Sequence, residues 1–322
     1  MTNKNYGNSD VNVSPIIFGG NVFGWTLDEK QSFDILDYAF ENGFNTIDSA
    51  NIYSNFVPGN DGSESETIIG KWMKQRGNRK EMAIITKVGG PLRSDTPNTS
   101  KKFILEEVEN SLKHLQTDYI DIYFNHVDDT ITPVEETLEA FDEIVKSGKA
   151  RVIAASQISP ERLVESLETS KARNLVSYIG LQPEYNLYDR EEFETKYLSV
   201  SKQYGLAVTP FFSLASGFLT GKYKTKEDFG KYPRGGSVEM RYNNKKGLNI
   251  LKVLNEVAER NHTKMSSVAL AWLMKHPFIT APIASATQKA HIDDFVSAVN
   301  LDLSDEDFHQ LKKAGETQSA LS

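Results

Sequence analysis

The stretch EMAIITKVGGPLRSDTPNTSKKFILEEVENSLKHLQTDYIDIYFNH, residues 81–126, contains one complete unit of the pattern that decides the fold. It begins with a short apolar run rich in β-branched residues, 82–86, which is typical of a buried strand. A polar loop containing Gly and Pro follows, and then a segment with apolar residues at helical spacing, 101–115. A second buried strand, 119–124, ends the unit. The order strand, helix, strand predicts two parallel neighbouring strands.

The same alternation of short apolar runs and longer amphipathic segments extends along the chain. Helix-like segments separate the strand-like runs, and two more, over residues 291–299 and 305–314, follow the last of them. About eight strands alternating with helices are typical of a parallel sheet covered by helices. The predicted strands cover residues 16–18, 44–47, 82–86, 119–124, 151–155, 178–181, 206–209 and 279–283.

An open doubly wound sheet and a closed barrel both fit this alternation. A nucleotide-binding open sheet carries a Gly-rich turn, G-x-G-x-x-G, after its first strand, and the turn here, FGGNVFGW at residues 18–25, does not match it. Barrels of this type often reach this length as one unit. We therefore predict an α/β fold: a (β/α)8 TIM barrel with extra C-terminal helices, one domain over residues 1–322 with its core at about 13–314.

Three polar stretches containing Gly or Pro are predicted to be long loops, at residues 55–65, 89–100 and 222–246. Long loops on a compact scaffold usually carry function rather than arise by accident. We also expect helices over residues 253–260 and 266–276, beyond the third loop.

Composition excludes several classes of function. Asp and Glu number 44 against 36 Lys and Arg, a net charge of −8, so we expect no nucleic-acid partner, which would favour a basic surface. The chain has no cysteine, which excludes disulfides and a cysteine nucleophile. No apolar run approaches the roughly 20 residues that span a bilayer, and the polar N-terminus lacks the apolar core of a signal peptide. We expect a cytoplasmic protein with no membrane partner.

Four potentially reactive side chains follow three consecutive predicted strands. Asp48 ends FNTIDSA, Tyr53 lies in the loop after it, Lys87 ends MAIITK and His126 follows YIDIYFN. In a barrel of this kind, the chemistry gathers at the carboxyl ends of the strands. Each residue alone is compatible with a structural role, such as the capping of a helix by an Asp. Their shared position at one rim favours a functional site.

These side chains suit the reduction of a ketone or an aldehyde. The oxyanion that forms as hydride arrives needs a proton donor. A phenol with a pKa near ~10 is a poor donor at neutral pH, so we expect the Lys87 ammonium, held by Asp48, to lower the pKa of Tyr53. His126 would donate a hydrogen bond to the same oxygen and orient the substrate. The set requires no metal.

Two unrelated barrel chemistries remain open at this point. Lys87 at a strand end is also compatible with an aldolase that forms a Schiff base. A glycoside hydrolase would need two carboxylates facing each other across the cleft. Only Asp48 is suitably placed for that role, since Asp128 and Asp129 lie further out after His126.

At these residues the chain resembles the aldo-keto reductase superfamily, from about residue 13 to residue 314. DSANIY is similar to the family's Asp-x-x-x-x-Tyr motif, TKVGG to its lysine strand end and YIDIYFNHVDD to its histidine strand end. The resemblance implies that Asp48, Tyr53, Lys87 and His126 are the catalytic residues of an NAD(P)H-dependent oxidoreductase. It also implies a nicotinamide cofactor bound in an extended pose without a Rossmann domain.

The resemblance assigns cofactor contacts residue by residue. AASQIS offers Ser156 and Gln157 where the family usually has Ser-Asn, and Gln182 matches a Gln that contacts the carboxamide. In PFFSLASGFLTGKY, Phe211 takes the place of the aromatic residue that stacks on nicotinamide, and it keeps a π-face. The other implied contacts are Gly20, Asn21 and Asp48 near the first strand ends, Phe212, Leu214, Ser216 and Gly217 along the pyrophosphate, and Lys222 and Arg234 in the covering loop.

The match is weaker at the adenosine end, where this chain reads APIASATQKAHIDDF. Ser285 takes the place of a Gly, Thr287 of an Arg that often holds the 2′-phosphate, His291 of a Gln or Arg, and Asp294 of a Glu. Loss of a charged phosphate clamp weakens a strict preference for NADPH. By family habit NADP(H) is the favoured cofactor, with NAD(H) as the open alternative.

The implied substrate is a small carbonyl compound or alcohol. Its pocket is expected to contain Phe23 or Trp25 beside Tyr53 and His126, although Trp25 is equally compatible with a core position. The superfamily also includes regulatory subunits that bind a cofactor and a partner protein, and the presence of all four reactive residues favours the enzyme. Neither the substrate nor the oligomeric state, monomer or homo-oligomer, follows from the sequence.

Overall fold

The strands of one central sheet run parallel and almost in chain order. A computed structural model describes residues 2–92 and 96–316 of the chain. Its strands are β1 (Lys4–Asn5), β2 (Asn12–Val13), β3 (Ile17–Gly19), β4 (Thr46–Asp48), β5 (Ala83–Val88), β6 (Ile120–Asn125), β7 (Ala150–Ser156), β8 (Tyr178–Gln182), β9 (Ala207–Val208) and β10 (Ile283–Ala284). Within the described residues, β10 and β3 to β9 form an eight-stranded sheet, in the order β10, β3, β4, β5, β6, β7, β8, β9.

Backbone hydrogen bonds close this sheet into a barrel. The last strand, β10, pairs with the first, β3. On its other side, the segment leading into β10 meets the end of β9: the Thr280 amide donates to the Val208 carbonyl at 2.8 Å, and the Ile283 amide donates to the Pro210 carbonyl at 2.9 Å. The predicted α/β barrel is confirmed.

Helices cover the outside of the barrel, as the predicted alternation requires. They are α1 (Glu29–Glu41), α2 (Glu64–Arg76), α3 (Lys101–Leu115), α4 (Val134–Lys146), α5 (Pro160–Arg173), α6 (Leu198–Tyr204), α7 (Gly235–Tyr242), α8 (Lys245–Arg260), α9 (Met265–Lys275), α10 (Lys289–Asn300) and α11 (Asp305–Ala314). The helix α4 is representative, because Leu138, Phe141 and Ile144 share one buried face. The helices predicted after the last strand are present as α10 and α11. In the described part of the chain, no helix is both long and apolar enough to cross a membrane.

A short hairpin, β1 and β2, closes one end of the barrel. Its Tyr6 side chain is fully buried and packs with inward-facing strand residues that include Ile85 and Phe124. Room for the ring exists because Gly180 has no side chain: a Cβ there would lie 2.0 Å from the Tyr6 hydroxyl. The polar composition of the N-terminus gave no signal for this hairpin.

Three sequence-based boundaries were wrong. The predicted loop 222–246 contains a 3-10 helix, Lys226–Lys231, and all of α7. The glycines at the start of α7 indicated a loop, but Gly235 is required by close packing, because a Cβ there would meet the Phe229 carbonyl oxygen at 1.7 Å.

The other two boundary errors lie at the start of α8 and at the last strand. The helix predicted from residue 253 begins at Lys245, because the Asn244 side chain accepts a hydrogen bond from the Gly247 amide and caps it. The strand predicted over 279–283 is Ile283–Ala284, and Pro282 interrupts the ladder just before it. In the predicted loop 89–100, residues 93–95 lie outside the described residues, as do residues 1 and 317–322 of the predicted domain.

Candidate active site

Neighbouring strands bring the predicted reactive side chains to one rim of the barrel. Asp48 is the last residue of β4 and pairs in register with Ile85 of β5, two residues before Lys87. Lys87 in turn lies opposite Phe124 of β6, and His126 follows that strand directly. Because these strands are parallel, their carboxyl ends meet at the same edge.

The Lys87 ammonium is fully buried and has three acceptors. It lies 2.6 Å from Asp48 Oδ2, 2.7 Å from the Ser49 carbonyl oxygen and 2.8 Å from the Tyr53 hydroxyl oxygen. The Tyr53 hydroxyl donates its own proton to Asp48 Oδ2 at 3.0 Å. A phenol, an ammonium and a carboxylate therefore share one hydrogen-bonded triangle.

A side-chain amide completes the surroundings of Asp48. Gln182, the last residue of β8, donates from Nε2 to Asp48 Oδ1 at 2.9 Å. The carboxylate is buried, and buried ion pairs persist only where the remaining lone pairs are satisfied. Both oxygens of Asp48 have partners here, which fixes its position relative to Lys87.

Burial sets the protonation of this triangle. It raises the pKa of Tyr53 well above its usual value, and the charge of Asp48 raises it further. Burial also lowers the pKa of Lys87, while the charge of Asp48 acts in the opposite direction. The lowering that we expected from Lys87 is outweighed here by burial and by Asp48, so the pKa of Tyr53 is raised overall.

His126 stands beside Tyr53 with one free ring nitrogen. The two rings are in edge-to-face contact, with centroids 6.1 Å apart. His126 Nδ1 is buried and has no hydrogen-bond partner among the described residues. Burial, and then the charge of Lys87, place the pKa of His126 well below its usual value, so the ring is neutral near pH 7. A neutral imidazole with a free nitrogen can accept or donate a hydrogen bond to a small molecule.

The residues predicted at the nicotinamide end border one cleft. It has a volume of about 230 Å³ and is lined by Gln157, Gln182 and Phe211 together with Glu184 and Tyr197, among others. Gln182 also contacts Asp48, so this cleft adjoins the buried triangle. Gln157 has a left-handed backbone, with φ of 42°, and its amide lies 3.3 Å from the His126 carbonyl oxygen. Ser156 is buried and donates to the Gln182 carbonyl at 2.9 Å.

The segment after β9 has an unusual backbone. Phe212, Ala215, Ser216 and Gly217 all have positive φ values, and Leu214 lies between them. These turns are held within the segment: the Ala215 amide donates to the Phe212 carbonyl at 2.7 Å and the Gly217 amide to the Leu214 carbonyl at 2.8 Å. The contact of this segment with a pyrophosphate stays a prediction.

Two cations lie near that segment without a carboxylate partner within residues 2–92 and 96–316. Lys222 lies 4.1 Å from the ring centroid of Tyr232, and a Cβ at Gly217 would be 3.0 Å from its Nζ. The Arg234 guanidinium lies over the ring of Trp25 at 4.9 Å. Burial lowers the pKa of both groups, as expected for cations that lack a counter-charge.

The predicted adenosine-end residues are held by contacts with one another. Ser285 Oγ donates to Asn21 Oδ1 at 2.6 Å, which joins the loops after β10 and β3. His291 accepts from the Thr287 amide at 3.2 Å and contacts the Gln288 side chain at 2.9 Å. Two further assigned residues also have partners: the Gly20 carbonyl accepts from Ser65, and Asp294 accepts from Ser266 and pairs with Lys264.

The surroundings of Phe23 favour a core position over the predicted place in the substrate pocket. Its side chain is fully buried and stacks on Phe18, with ring centroids 5.6 Å apart. Trp25 is half-buried and makes an edge contact with Phe56, at 5.2 Å between centroids. Phe56 is 64% exposed and is the sole aromatic residue in the predicted loop 55–65.

The fold and this rim define the class: a (β/α)8-barrel protein with a buried Asp–Lys–Tyr triangle beside a neutral histidine. The model of the aldo/keto reductase family matches residues 15–316, nearly the whole chain. The chain belongs to the aldo/keto reductase family, whose members act as oxidoreductases on carbonyl compounds and generally use nicotinamide cofactors.

Curated relatives are similar over most of their length. The chain is 34% identical over 328 residues to an uncharacterized oxidoreductase, YrpG, of Bacillus subtilis, covering 98% of this chain and 97% of that protein. It is 32% identical over 313 residues to a probable voltage-gated potassium channel subunit beta of Arabidopsis thaliana, covering 94% and 92%. It is 33% identical over 293 residues to an L-glyceraldehyde 3-phosphate reductase of Escherichia coli O157:H7, covering 86% and 81%.

Proposed function

We propose that this protein is an NADP(H)-dependent reductase that converts an aldehyde or a ketone to the alcohol, with Tyr53 as the general acid. The observation that carries the proposal is the position of the Tyr53 hydroxyl, 2.8 Å from Lys87 Nζ and 3.0 Å from Asp48 Oδ2. A phenol held in a fixed position by a buried ammonium and carboxylate is well placed to act as a general acid. The catalytic residues of the proposal are Asp48, Tyr53, Lys87 and His126.

The proposed proton transfer runs from Tyr53 to the carbonyl oxygen of the substrate. The nicotinamide cofactor, when bound, supplies the hydride. The raised pKa of Tyr53 keeps the proton on the phenol until a stronger base appears, and an alkoxide is such a base. Lys87 then donates a hydrogen bond to the phenolate oxygen, and Asp48 keeps Lys87 in place. A ring nitrogen of neutral His126 is proposed to orient the carbonyl oxygen by a hydrogen bond.

The residues around the cleft fit a nicotinamide dinucleotide. Gln157 and Gln182 offer amides to the carboxamide, with Ser156 behind them, and Phe211 offers an aromatic face to the ring. The positive-φ segment ending at Gly217 is proposed to lie along the pyrophosphate. Lys222 and Arg234 supply positive charge that no carboxylate neutralises in the described part of the chain.

The proposal also covers the cofactor preference, the substrate class and the location of the protein. NADP(H) is favoured over NAD(H) by family habit, while His291 and Thr287 contact one another rather than forming a charged clamp. The substrate is a small carbonyl compound. The chain is proposed to act as one catalytic domain in the cytoplasm.

A second candidate is a cofactor-binding regulatory subunit, because a relative at 32% identity is described as a probable potassium channel subunit. The assembled triangle favours the enzyme, since a binding subunit has no need of a phenol held against a buried ion pair. Mixing the NADPH-loaded protein with a reactive aldehyde in a stopped-flow instrument separates the two. Oxidation of the cofactor identifies the enzyme, and an unchanged cofactor identifies the binding subunit.

Tyr53→Phe tests the role of the hydroxyl group. We expect turnover to fall by about 10²-fold or more, because the proton donor is lost, while the dissociation constant for NADPH stays within about twofold. Steady-state kinetics and calorimetric titration measure the two quantities. A variant that retains wild-type turnover would remove Tyr53 from the proposed role.

A further inference from the structure

Glu66 is a fully buried carboxylate in the first turn of α2. The sequence Ser63-x-x-Glu66 has the form of a capping box, in which the Glu would accept from the backbone amide of Ser63. The structure does not use it in that way. The Ser63 amide donates to the Asn51 carbonyl, while Glu66 Oε1 accepts from the Thr86 hydroxyl at 2.5 Å. Glu66 therefore has a role outside its own helix.

Two chains of contacts connect Glu66 to the Lys87 ammonium. Thr86, its hydrogen-bond donor, directly precedes Lys87 on β5. On the other side, Ser65 precedes Glu66 and accepts from Ser49 Oγ at 2.9 Å, and the Ser49 carbonyl accepts from Lys87 Nζ at 2.7 Å. The first turn of α2 therefore brackets the strand ends that hold Lys87.

No Lys or Arg within residues 2–92 and 96–316 forms an ion pair with Glu66. His114 of α3 lies beside it, with Nδ1 3.6 Å from Oε2 and a side chain that is 33% exposed. Oε2 itself is buried and has no hydrogen-bond partner in that part of the chain. A buried carboxylate without a paired cation is costly, and it acts strongly on charges across the low-dielectric interior.

Lys87 and Glu66 are each faced by titratable groups from the elements packed around them. Lys87 is faced by Asp48 and Tyr53, and its charge reaches His126. Glu66 is faced by His114 of α3 and by Tyr123 of β6, whose pKa it raises together with Glu107. Among these groups, Lys87 is the buried cation: burial lowers its pKa, Asp48 raises it, and the negative charge of Glu66 raises it to a smaller extent.

We propose that Glu66 is a positioning residue of this site: its carboxylate, lying behind the strand that carries Lys87, adds a second negative charge to that of Asp48 and helps to keep the ammonium charged. The inference rests on the proposed reductase function for its kinetic readout alone. It assigns Glu66 an electrostatic effect on Lys87, and the helix-capping and packing roles of such a residue would not produce that effect.

Two variants separate the charge of Glu66 from its hydrogen bond. Glu66→Gln removes the charge and keeps an oxygen that accepts from Thr86, whereas Thr86→Ser keeps both the charge and the hydroxyl donor and is the control. In Glu66→Gln, the alkaline limb of the kcat profile for carbonyl reduction should move down by about 0.5–1 pH unit, because Lys87 loses its proton more easily. In Thr86→Ser, the limb should stay at its wild-type position, even if the protein is less stable.

A third variant leaves the buried residue untouched. His114→Arg places a permanent cation beside Glu66 from the partly exposed surface, so it should move the limb in the same direction as Glu66→Gln. This variant keeps the test available if Glu66→Gln does not fold.

A readout independent of turnover distinguishes failure of this inference from failure of the proposed function. The pKa of Lys87 is measured by NMR in protein with carbon-13-labelled lysine, and its resonance is identified by its loss in Lys87→Met. A lower pKa in Glu66→Gln or His114→Arg supports the inference even if no carbonyl compound is reduced. An unchanged pKa in both variants, or an equal change in Thr86→Ser, would overturn it.

Discussion

At the scale of single residues, the protonation of the site is decided by how Lys87 uses its three hydrogen-bond donors. They go to Asp48, to the Ser49 carbonyl and to Tyr53, all within 2.6–2.8 Å. Because Asp48 balances the positive charge, the phenol remains protonated rather than partly ionised. A phenol of this kind serves as an acid for a strongly basic oxyanion and is a poor base for an alcohol at neutral pH.

Lys87→Met tests this balance at the residue scale. The substitution leaves the Asp48 charge unopposed next to the phenol, so the pKa of Tyr53 rises further and any remaining alcohol oxidation moves to higher pH. It also leaves a buried carboxylate unpaired, which should lower the free energy of unfolding by about 3–5 kcal/mol. Urea titrations and pH profiles of alcohol oxidation measure the two effects. A variant with the wild-type pH profile would show that Lys87 does not set the pKa of Tyr53.

At the scale of elements, the segment from Lys222 to α7 places unpaired cations over the barrel rim. Arg234 directly precedes α7 and stacks over Trp25 from the first loop, so it links the two sides of the proposed cofactor groove. Lys231 belongs to the same segment but pairs with Asp228 at 2.7 Å. The difference in pairing indicates that Arg234, and not Lys231, is available to a phosphate.

Arg234→Ala should weaken NADPH binding, with Lys231→Ala as the matched control. Loss of a charge-assisted hydrogen bond corresponds to a rise in Kd of about tenfold or more, and the difference should shrink in high salt. Lys231→Ala should leave Kd within about twofold. Calorimetric titration at two salt concentrations measures both variants, and equal effects of the two substitutions would contradict the assignment of Arg234.

Sequence patterns predicted most of the elements and failed where a contact with a distant segment decides the structure. Alternating apolar runs gave the barrel, because each strand is buried by helices that the same chain supplies. The apolar pattern could not predict α7, because Gly235 is required there by close packing against Phe229. It also could not predict that Phe23 is buried against Phe18. The effect of burial and Asp48 on the pKa of Tyr53 was missed for a related reason. It depends on the distance of Asp48 from both partners, and spacing along the chain does not give that distance.

At the scale of the whole molecule, the barrel interior is filled in part from outside the barrel. Tyr6 of the N-terminal hairpin enters the space left by Gly180, which lies two residues before Gln182 on β8. Gln182 is the residue that joins Asp48 to the cleft. The hairpin therefore supports the layer of side chains directly below the candidate site.

Gly180→Ala should destabilise the protein, because its Cβ would lie 2.0 Å from the hydroxyl of an enclosed Tyr6 ring. Overpacking of this kind lowers the free energy of unfolding by about 1–3 kcal/mol. Gly236→Ala is the control, since its Cβ would meet nothing within 4 Å in α7, and it should stabilise the protein by about 0.5–1 kcal/mol. Denaturant unfolding compares the two, and a neutral Gly180→Ala would show that the hairpin packs loosely in the barrel.

We propose that a substrate bound at this rim receives hydride from the nicotinamide cofactor at its carbonyl carbon, while Tyr53 supplies the proton. The most direct test uses NADPH deuterated at its hydride-donating carbon, with an activated aromatic aldehyde as the probe and mass spectrometry of the product. We predict an alcohol that carries deuterium at the former carbonyl carbon with the wild-type protein, and almost none with Tyr53→Phe. Binding of NADPH with no deuterated alcohol formed would contradict the account.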